Sequence, residues 1–251
     1  METSHSPFHP NSVESFFTKY HEAYRVSPSH ASGADLRILT DALSLSPHSK
    51  VLDAATGTGH TALALAALGH EVTGMDVTDV MLQDARELAQ DRQLTAEWVQ
   101  GNVEHLPWSS NTFHAITCRR AAHHFVDPGQ FFRESFRVLK PGGKLGIADM
   151  TAPSQAIDAL NSVERLRDSS HRRAMSANEW ASLVVSVGFD IEYLQVWSEL
   201  LEPHEWLYPV SWESTEGQAV IHALSTDEIS QKLLSQGHFV KYRMVLVADK
   251  P

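Results

Sequence analysis

An α/β fold with a mostly parallel, doubly wound sheet is what this sequence predicts, and three observations predict it. Apolar runs of strand length alternate with helical runs from Lys50 to Asp149, the pattern of parallel strands covered on both faces. A glycine-rich stretch at 51–62, V-L-D-A-A-T-G-T-G-H-T-A, joins the first of those strands to the first of those helices. The chain has 251 residues, 42% hydrophobic and 20% charged, which suits one domain with a large core.

The elements follow in order. Residues 12–25 read as a helix behind Asn11 as N-cap, with Phe16, Phe17, Tyr20 and Tyr24 on one face. S-P-S-H-A-S-G at 27–33 reads as a loop, and 35–43 as a second helix. Then come a strand at 50–54, a helix at 58–68 stopped by Gly69, a strand at 71–76, and a helix at 79–91 with Val80, Leu82, Ala85 and Leu88 inward. Strands follow at 96–101 and 113–118. A helix at 128–139 ends at Lys140-Pro141-Gly142-Gly143, and a strand runs over 144–149. Beyond it the spacing predicts helices at 154–167 and 177–187, strands at 189–197 and 239–248, and between those strands an irregular, then helical stretch. We divide the chain into a helical cap (1–48), a cofactor-binding core (49–150) and an acceptor-side lid with the last two strands (151–251), all one domain. Ligands of such sheets bind beyond the carboxyl ends of the strands.

Composition narrows the class. A formal net charge of −11 disfavours work on a nucleic-acid backbone. The polar start M-E-T-S-H-S-P-F-H-P-N-S lacks the apolar core of a secretion signal, and no apolar run reaches membrane-spanning length. The only cysteine, Cys118, has no partner for an internal disulfide, and it reads as a packed small hydrophobe. We expect a cytoplasmic protein, monomeric or homodimeric, acting on a small molecule without nucleic-acid or membrane partners.

The glycine turn carries most of the functional information. Gly57-Thr58-Gly59-His60-Thr61-Ala62 fits G-x-G-x-x-G/A, with a strand before it, a helix after it, and Asp76 near the spacing of a ribose-binding acid. Asp53 decides which nucleoside is expected. A pyrophosphate wants donors and positive charge at this turn, and an acid beside it is repulsive. The α-ammonium and sulfonium of S-adenosylmethionine, which has a ribose and no phosphate, suit an acid at both ends. Asp53 can equally be structural, tying the backbone of the turn, and the two roles are compatible.

At this point a family resemblance appears. V-L-D-A-A-T-G-T-G-H-T-A is similar to the first motif of the class I S-adenosylmethionine-dependent methyltransferases. Met75-Asp76-Val77 with Met81 resembles the second-strand motif, and G-N-V-E-H-L-P-W at 101–108 resembles G-D-A-x-x-L-P-F. N-T-F-H-A-I at 111–116 resembles N-S-F-D-x-V, and R-V-L-K-P-G-G at 137–143 matches its counterpart. Tyr24, Ser27, His30, Gly33 and Asp35-Leu36, with E-R-L-R-D-S-S-H at 164–171, resemble a narrower bacterial subgroup of small methyltransferases. The resemblance implies a Rossmann-like sheet of seven strands with an antiparallel last strand. It implies that Asp53, Ala55 and the loop of Gly57, Thr58 and Gly59 hold the methionine part, with Tyr24, His30 and Arg119 around it. Asp76 is implied to accept the ribose hydroxyls. Val77 and Val103 are implied to pack on the two faces of the adenine, Asn102 to meet its amino group, and Met81 to belong to the cofactor-binding set. The family usually has aspartate at 102; the Asn102 carbonyl still accepts, without the charge.

Because a sulfonium is already a strong methyl donor, the protein need supply mainly alignment for in-line displacement. A base is needed only where the acceptor must lose a proton. The candidates for catalysis are His123, His124 and Arg119, just after the fourth strand. Either histidine can serve as base or orient an acceptor, or be structural. Arg119 can bind a carboxylate or form a salt bridge. No metal site is expected, since adjacent side chains diverge and no familiar zinc spacing occurs. Two outer segments can shape the acceptor pocket. Residues 161–173 read as a solvated, internally paired helix or as a lid offering arginine to an anion. Trp206, Tyr208 and Trp212 read as core or as an apolar pocket wall. The quinone C-methyltransferases share the first motifs, but where they continue N-F-G-I-R-N this chain has C-R-R-A-A-H-H-F. A nicotinamide-dependent oxidoreductase, or a binding protein without turnover, are the competing readings.

Overall fold

The computed structural model describes residues 13–251, so the expected cap Asn11 lies outside the described residues. Helix α1 spans Val13–Arg25. The expected loop at 27–33 instead contains a short helix, α2 (Pro28–Ser32), because Pro28 sits at the first helical position behind Ser27. Gly33 ends α2 and starts α3 (Ala34–Leu43). The alternating region follows: β1 (Lys50–Ala54), α4 (His60–Ala67), β2 (Glu71–Asp76), α5 (Asp79–Asp91), β3 (Glu97–Gln100) and β4 (Phe113–Arg119). A 3-10 turn, Ala122–His124, leads towards α6 (Pro128–Val138). Asp127 caps α6, its side chain accepting from the Gln130 N–H at 2.9 Å, and Pro128 follows at N1.

Strand β5 (Leu139–Thr151) begins earlier than expected. The Lys140–Gly143 turn ends α6 but is absorbed into the strand as an irregularity, so Phe113 faces Leu139 while Ala115 faces Lys144. Helix α7 runs over Ile157–Arg167, starting later than expected because Pro153 precedes a turn. Helix α8 (Ala177–Val187) opens on a reciprocal Ser176–Glu179 capping box and closes on Gly188 in the left-handed region. The remaining elements are β6 (Asp190–Leu201), α9 (Pro203–Leu207), α10 (Thr215–Thr226), a second 3-10 turn (Ser230–Leu233), the two-residue β7 (Leu234–Ser235) and β8 (His238–Asp249).

The sheet order is β3-β2-β1-β4-β5-β8-β6, with β7 beside β8. Strands β1 to β5 pair in parallel, and β8 is antiparallel to both β5 and β6. This is the doubly wound arrangement with an antiparallel last strand. One face packs Leu39 and Leu43 of α3 and Leu65 of α4 on Val51, Ala115, Val245 and Val247. The other packs Phe131, Phe132 and Trp180 on Leu52, Ile116 and Leu246. A separate apolar cluster joins α7, α9 and α10. Trp206 belongs to it, stacked on Phe239 at 3.9 Å between ring centroids. Tyr208 and Trp212 are exposed, so the expected aromatic cluster does not form. Among the described residues no helix is long and apolar enough to cross a membrane.

Candidate functional site

Parallel pairing brings the carboxyl ends of β1, β2 and β4 to one edge of the sheet. There a cavity of about 430 Å³ opens, of a size that holds a drug-sized ligand. Its wall includes Tyr24, His30, Ala55, Gly57, Thr58, Asp76, Val77, Met81, Asn102, Val103, Arg119 and His124. Twelve of the expected site residues therefore converge on one space, although they come from six separate stretches of chain.

The glycine turn explains its own sequence. Gly57 has φ +55°, and a Cβ there would meet only the Met81 Cε, at an ordinary 3.6 Å, so only conformation demands glycine. Gly59 has φ +81°, and a Cβ would lie 2.7 Å from the Trp98 ring and 2.9 Å from the Ala85 Cβ. The residue serves close packing on α5 and β3 and is not among those that line the cavity. Asp76, at the end of β2, fastens the turn. Its Oδ2 accepts the Gly57 N–H at 2.8 Å and its Oδ1 the Thr78 N–H at 2.9 Å. Burial raises its pKa against those bonds.

Asp53 is buried beneath the turn and absent from the cavity wall. Its Oδ2 accepts from the Thr56 hydroxyl at 2.5 Å and its Oδ1 from the Thr117 hydroxyl at 2.7 Å. Of its two expected roles, the structural one is what these contacts describe. Burial pushes its pKa up to about 6. Asn102 uses its Oδ1 to accept the Glu104 N–H at 2.9 Å, which leaves its amide N–H groups available.

The two histidines separate. His123 faces away from the cavity: its Nδ1 meets the Asp149 Oδ1 at 2.6 Å, and its backbone N–H donates to Asp149 at 3.2 Å. Burial lowers its pKa, but the charge and hydrogen bond of Asp149 outweigh that and raise it overall. His124 lines the cavity, edge-on to Phe17 at 5.2 Å. Its Nδ1 lies 3.2 Å from the Ser170 carbonyl and 3.1 Å from the Ser170 hydroxyl. That hydroxyl donates to Asp168 at 2.6 Å, so the His124 Nδ1 is the donor and its Nε2 keeps a lone pair, 3.9 Å from Asp168. Burial and the neighbouring His123 lower His124 to about 4.

Arg119 forms the salt bridge that was one of its two expected roles. It donates to Thr61 at 2.9 Å, to Asp35 at 3.1 Å and to the His30 carbonyl. The sequence reading missed its neighbour Arg120, which also lines the cavity and grips Asp35 with two bonds of 2.7 Å. Burial alone would raise Asp35, but Arg120 and then Arg119 hold it well below the usual carboxylate range. Phe17, Thr56, His60 and Phe125 were missed as well. A clue was present for Phe17, about two helical turns before Tyr24 on the same face of α1.

Helix α7 is neither of the two forms expected. In the helix Asn161 and Glu164 are buried and Arg165 is exposed; in the segment after it Asp168 and His171 are buried and Arg172 and Arg173 exposed. Glu164 pairs with Arg167 at 2.7 Å, and the His171 Nε2 meets the Asn161 Oδ1 at 2.8 Å.

A doubly wound sheet with this strand order, and a ribose-type acid beside a glycine turn, define a nucleoside-binding fold of the methyltransferase class. Comparison with known proteins agrees. Residues 52–147 match the methyltransferase domain family. The uncharacterized methyltransferase YcgJ of Bacillus subtilis is 34% identical over 197 residues, covering 77% of this chain and 78% of that protein. The crystal structure of BH2331, a candidate methyltransferase from Bacillus halodurans C-125, is 34% identical with a TM-score of 0.79 and covers 87% of this chain and 100% of its own. The demethylmenaquinone methyltransferase of Deinococcus radiodurans is 37% identical, but over only 47% of this chain and 49% of its own. The chain belongs to the class I S-adenosylmethionine-dependent methyltransferases and is an enzyme of that type.

Proposed function

We propose that this protein transfers the methyl group of S-adenosylmethionine to a small-molecule acceptor by in-line displacement. The observation that carries the reading is the order of chemistry along the one cavity. A carboxylate and apolar walls lie at the β2–β3 end, and an imidazole and a phenol lie at the other.

The residues fit the adenosyl cofactor. Asp76 accepts the Gly57 and Thr78 N–H groups and also lines the cavity, where its carboxylate can accept from a ribose hydroxyl. Val77, Met81 and Val103 offer apolar surface for a purine. Asp53 and Asp76 beside the turn oppose a pyrophosphate, and Arg119 is already engaged with Thr61, Asp35 and His30. When bound, the cofactor supplies an electrophilic methyl group.

The chain's own residues do the rest. Asp76 orients the ribose, and Phe17, Tyr24 and Phe125 keep water from the reacting end. His124 is the candidate catalytic residue. Its Nε2 lone pair takes the proton of an acceptor that must lose one, and Asp168 stabilises the resulting imidazolium. His123 and Arg119 are positioning residues in this scheme: one steadies the 3-10 turn on Asp149, and the other holds α2 and α3 to β4. The acceptor is proposed to be other than a quinone, because after β4 this chain has C-R-R-A-A-H-H-F where the quinone C-methyltransferases continue N-F-G-I-R-N.

Parallel calorimetric titrations with S-adenosylmethionine, S-adenosylhomocysteine and NADH test the reading. Binding of both adenosyl compounds without NADH is the expected result. Binding of NADH alone would return the turn to the dinucleotide class.

A further inference from the structure

Strand β4 runs beside β1 with Thr117 against Asp53, so the residues that end β4 stand beside the glycine turn that follows β1. The strand ends on Arg119, and Arg120 comes next. Both line the cavity. Arg120 has φ +57°, a left-handed backbone that residues with a Cβ seldom adopt and that gathers at binding sites. Its guanidinium lies against the junction of α2 and α3. The Nε donates to the Asp35 Oδ2 and the Nη2 to the Asp35 Oδ1, each at 2.7 Å. A Cβ on Gly33 would come 2.7 Å from that Nη2, so the junction has glycine where the guanidinium passes. The Nη1 meets only the Ser29 hydroxyl, at 3.3 Å.

The charges at this place do not balance. Arg119 pairs with the same Asp35 Oδ2 at 3.1 Å, and its other N–H groups go to Thr61 and the His30 carbonyl. Among the described residues Asp35 is the only acid in ion-pair contact with either arginine. Asp53, the other acid under this edge, has its oxygens taken by Thr56 and Thr117. Two guanidinium groups on one carboxylate leave one positive charge over. The donor with the weakest partner, the Arg120 Nη1, belongs to the cavity wall, on a side chain only 11% exposed. A cation so far withdrawn from water needs an anion, and the planar fork of arginine suits a carboxylate.

The sheet order places that anion. Asp76 ends β2, and β1 lies between β2 and β4. With the ribose on Asp76 and the purine towards Val77 and Val103, the tail of an adenosyl cofactor runs across β1 towards Arg120, and that tail ends in an α-carboxylate.

We propose that Arg120 seats the α-carboxylate of the cofactor, with Asp35 and Arg119 fixing the angle of its guanidinium. The proposal rests on the methyl-transfer reading of the cavity. It makes Arg120 a cofactor-binding residue and Arg119 a positioning residue behind it, and it makes the protein select against adenosyl compounds that lack the carboxylate.

Calorimetric titration with S-adenosylhomocysteine and with its decarboxylated analogue tests this, since the analogue keeps the amino group and differs by the carboxylate alone. The unaltered protein binds S-adenosylhomocysteine about tenfold or more tightly than the analogue. Arg120→Gln abolishes the preference: S-adenosylhomocysteine falls to the level of the analogue, and the analogue binds both proteins alike. Equal affinity of the unaltered protein for the two compounds overturns the seat without need of a variant. A preference that survives in Arg120→Gln overturns it too, as does a parallel weakening of both compounds, which would make Arg120 purely structural. Should Arg120→Gln fail to fold, Arg120→Lys serves instead. Its ammonium lacks the fork, so the preference shrinks while the analogue binds as before; an undiminished preference overturns the seat. Failure of both compounds to bind the unaltered protein would remove the methyl-transfer reading itself, and the seat with it.

Discussion

In the proposed reading Asp76 couples the turn to the ribose, since one carboxylate holds the Gly57 N–H and lines the cavity. Replacing it by alanine removes hydrogen bonds to a charged group, and we expect S-adenosylhomocysteine to bind more weakly by roughly 1.5–3 kcal/mol. Unchanged affinity in a calorimetric titration would remove the ribose assignment. His124 makes the opposite prediction. Its Nε2 has no strong partner in the protein, so His124→Ala leaves cofactor affinity intact. Turnover, read as S-adenosylhomocysteine release with a competent acceptor, then falls by about a hundredfold or more, the range of general-base catalysis. An equal loss in both measurements would make His124 part of the cofactor pocket. Asp53 teaches a further lesson at this scale. Its position one turn from the glycines points to a ligand, yet two hydroxyls and burial give it a structural place. Sequence shows that an acid is present but not which way its carboxylate turns.

Among the elements, the cofactor end was legible and the acceptor end was not. Strands β1 and β2 and helices α5 and α8 begin and end where pattern, caps and glycines put them. Their signals are local: an unbroken apolar run, a 3.6-residue stripe, Ser176 with Glu179, Gly188. Helix α2 was hidden because Ser, Pro and Gly are common to loops and helix starts. The inward polar face of α7 was hidden because its partners, His123, His124 and Tyr24, lie far away in sequence. Arg120 was passed over beside Arg119, though both close on Asp35. Helix α1 covers the cavity and is tied to α5 through Asp84, which meets His21 at 2.8 Å and Arg25 at 3.6 Å, with Arg25 also reaching Glu87 at 2.5 Å. A ligand that leaves past α1 has to loosen this tie. Asp84→Ala loosens it, and we expect S-adenosylhomocysteine to leave about 5–30 times faster, the factor that one or two kcal/mol provides. Stopped-flow displacement measures this. An unchanged rate would mean that ligands enter by another side.

At the scale of the whole molecule, the buried histidines set how stability responds to acid. Burial lowers His30, His60, His124 and His171 below 6.5, with His124 at about 4 and His171 at about 3. Each takes a proton in the unfolded chain as pH falls through 6.5 and takes it in the fold only at a lower pH. The unfolded state then binds more protons, so folding stability decreases with falling pH. Asp53, raised by burial to about 6, and Asp76, also raised, act in the opposite sense, because the fold protonates them before the unfolded chain does. Four histidines against two carboxylates leave a net loss between about pH 6.5 and pH 4. His123 limits the other side. Its pKa is raised by Asp149, so the stability that it contributes is complete below 6.5 and is lost as pH rises through its folded value. Stability therefore peaks near neutrality. His171→Gln isolates one group: the glutamine amide can replace the Nε2 donor to Asn161, and it also removes the Nδ1 that is buried without a partner. Urea unfolding at several pH values between 4.5 and 6.5 should show a slope shallower by about one proton, roughly 1.4 kcal/mol per pH unit, than in the unaltered protein. An identical slope would place His171 in the fold as a protonated cation, and the polar network between α7 and the 3-10 turn would have to be redrawn around that charge.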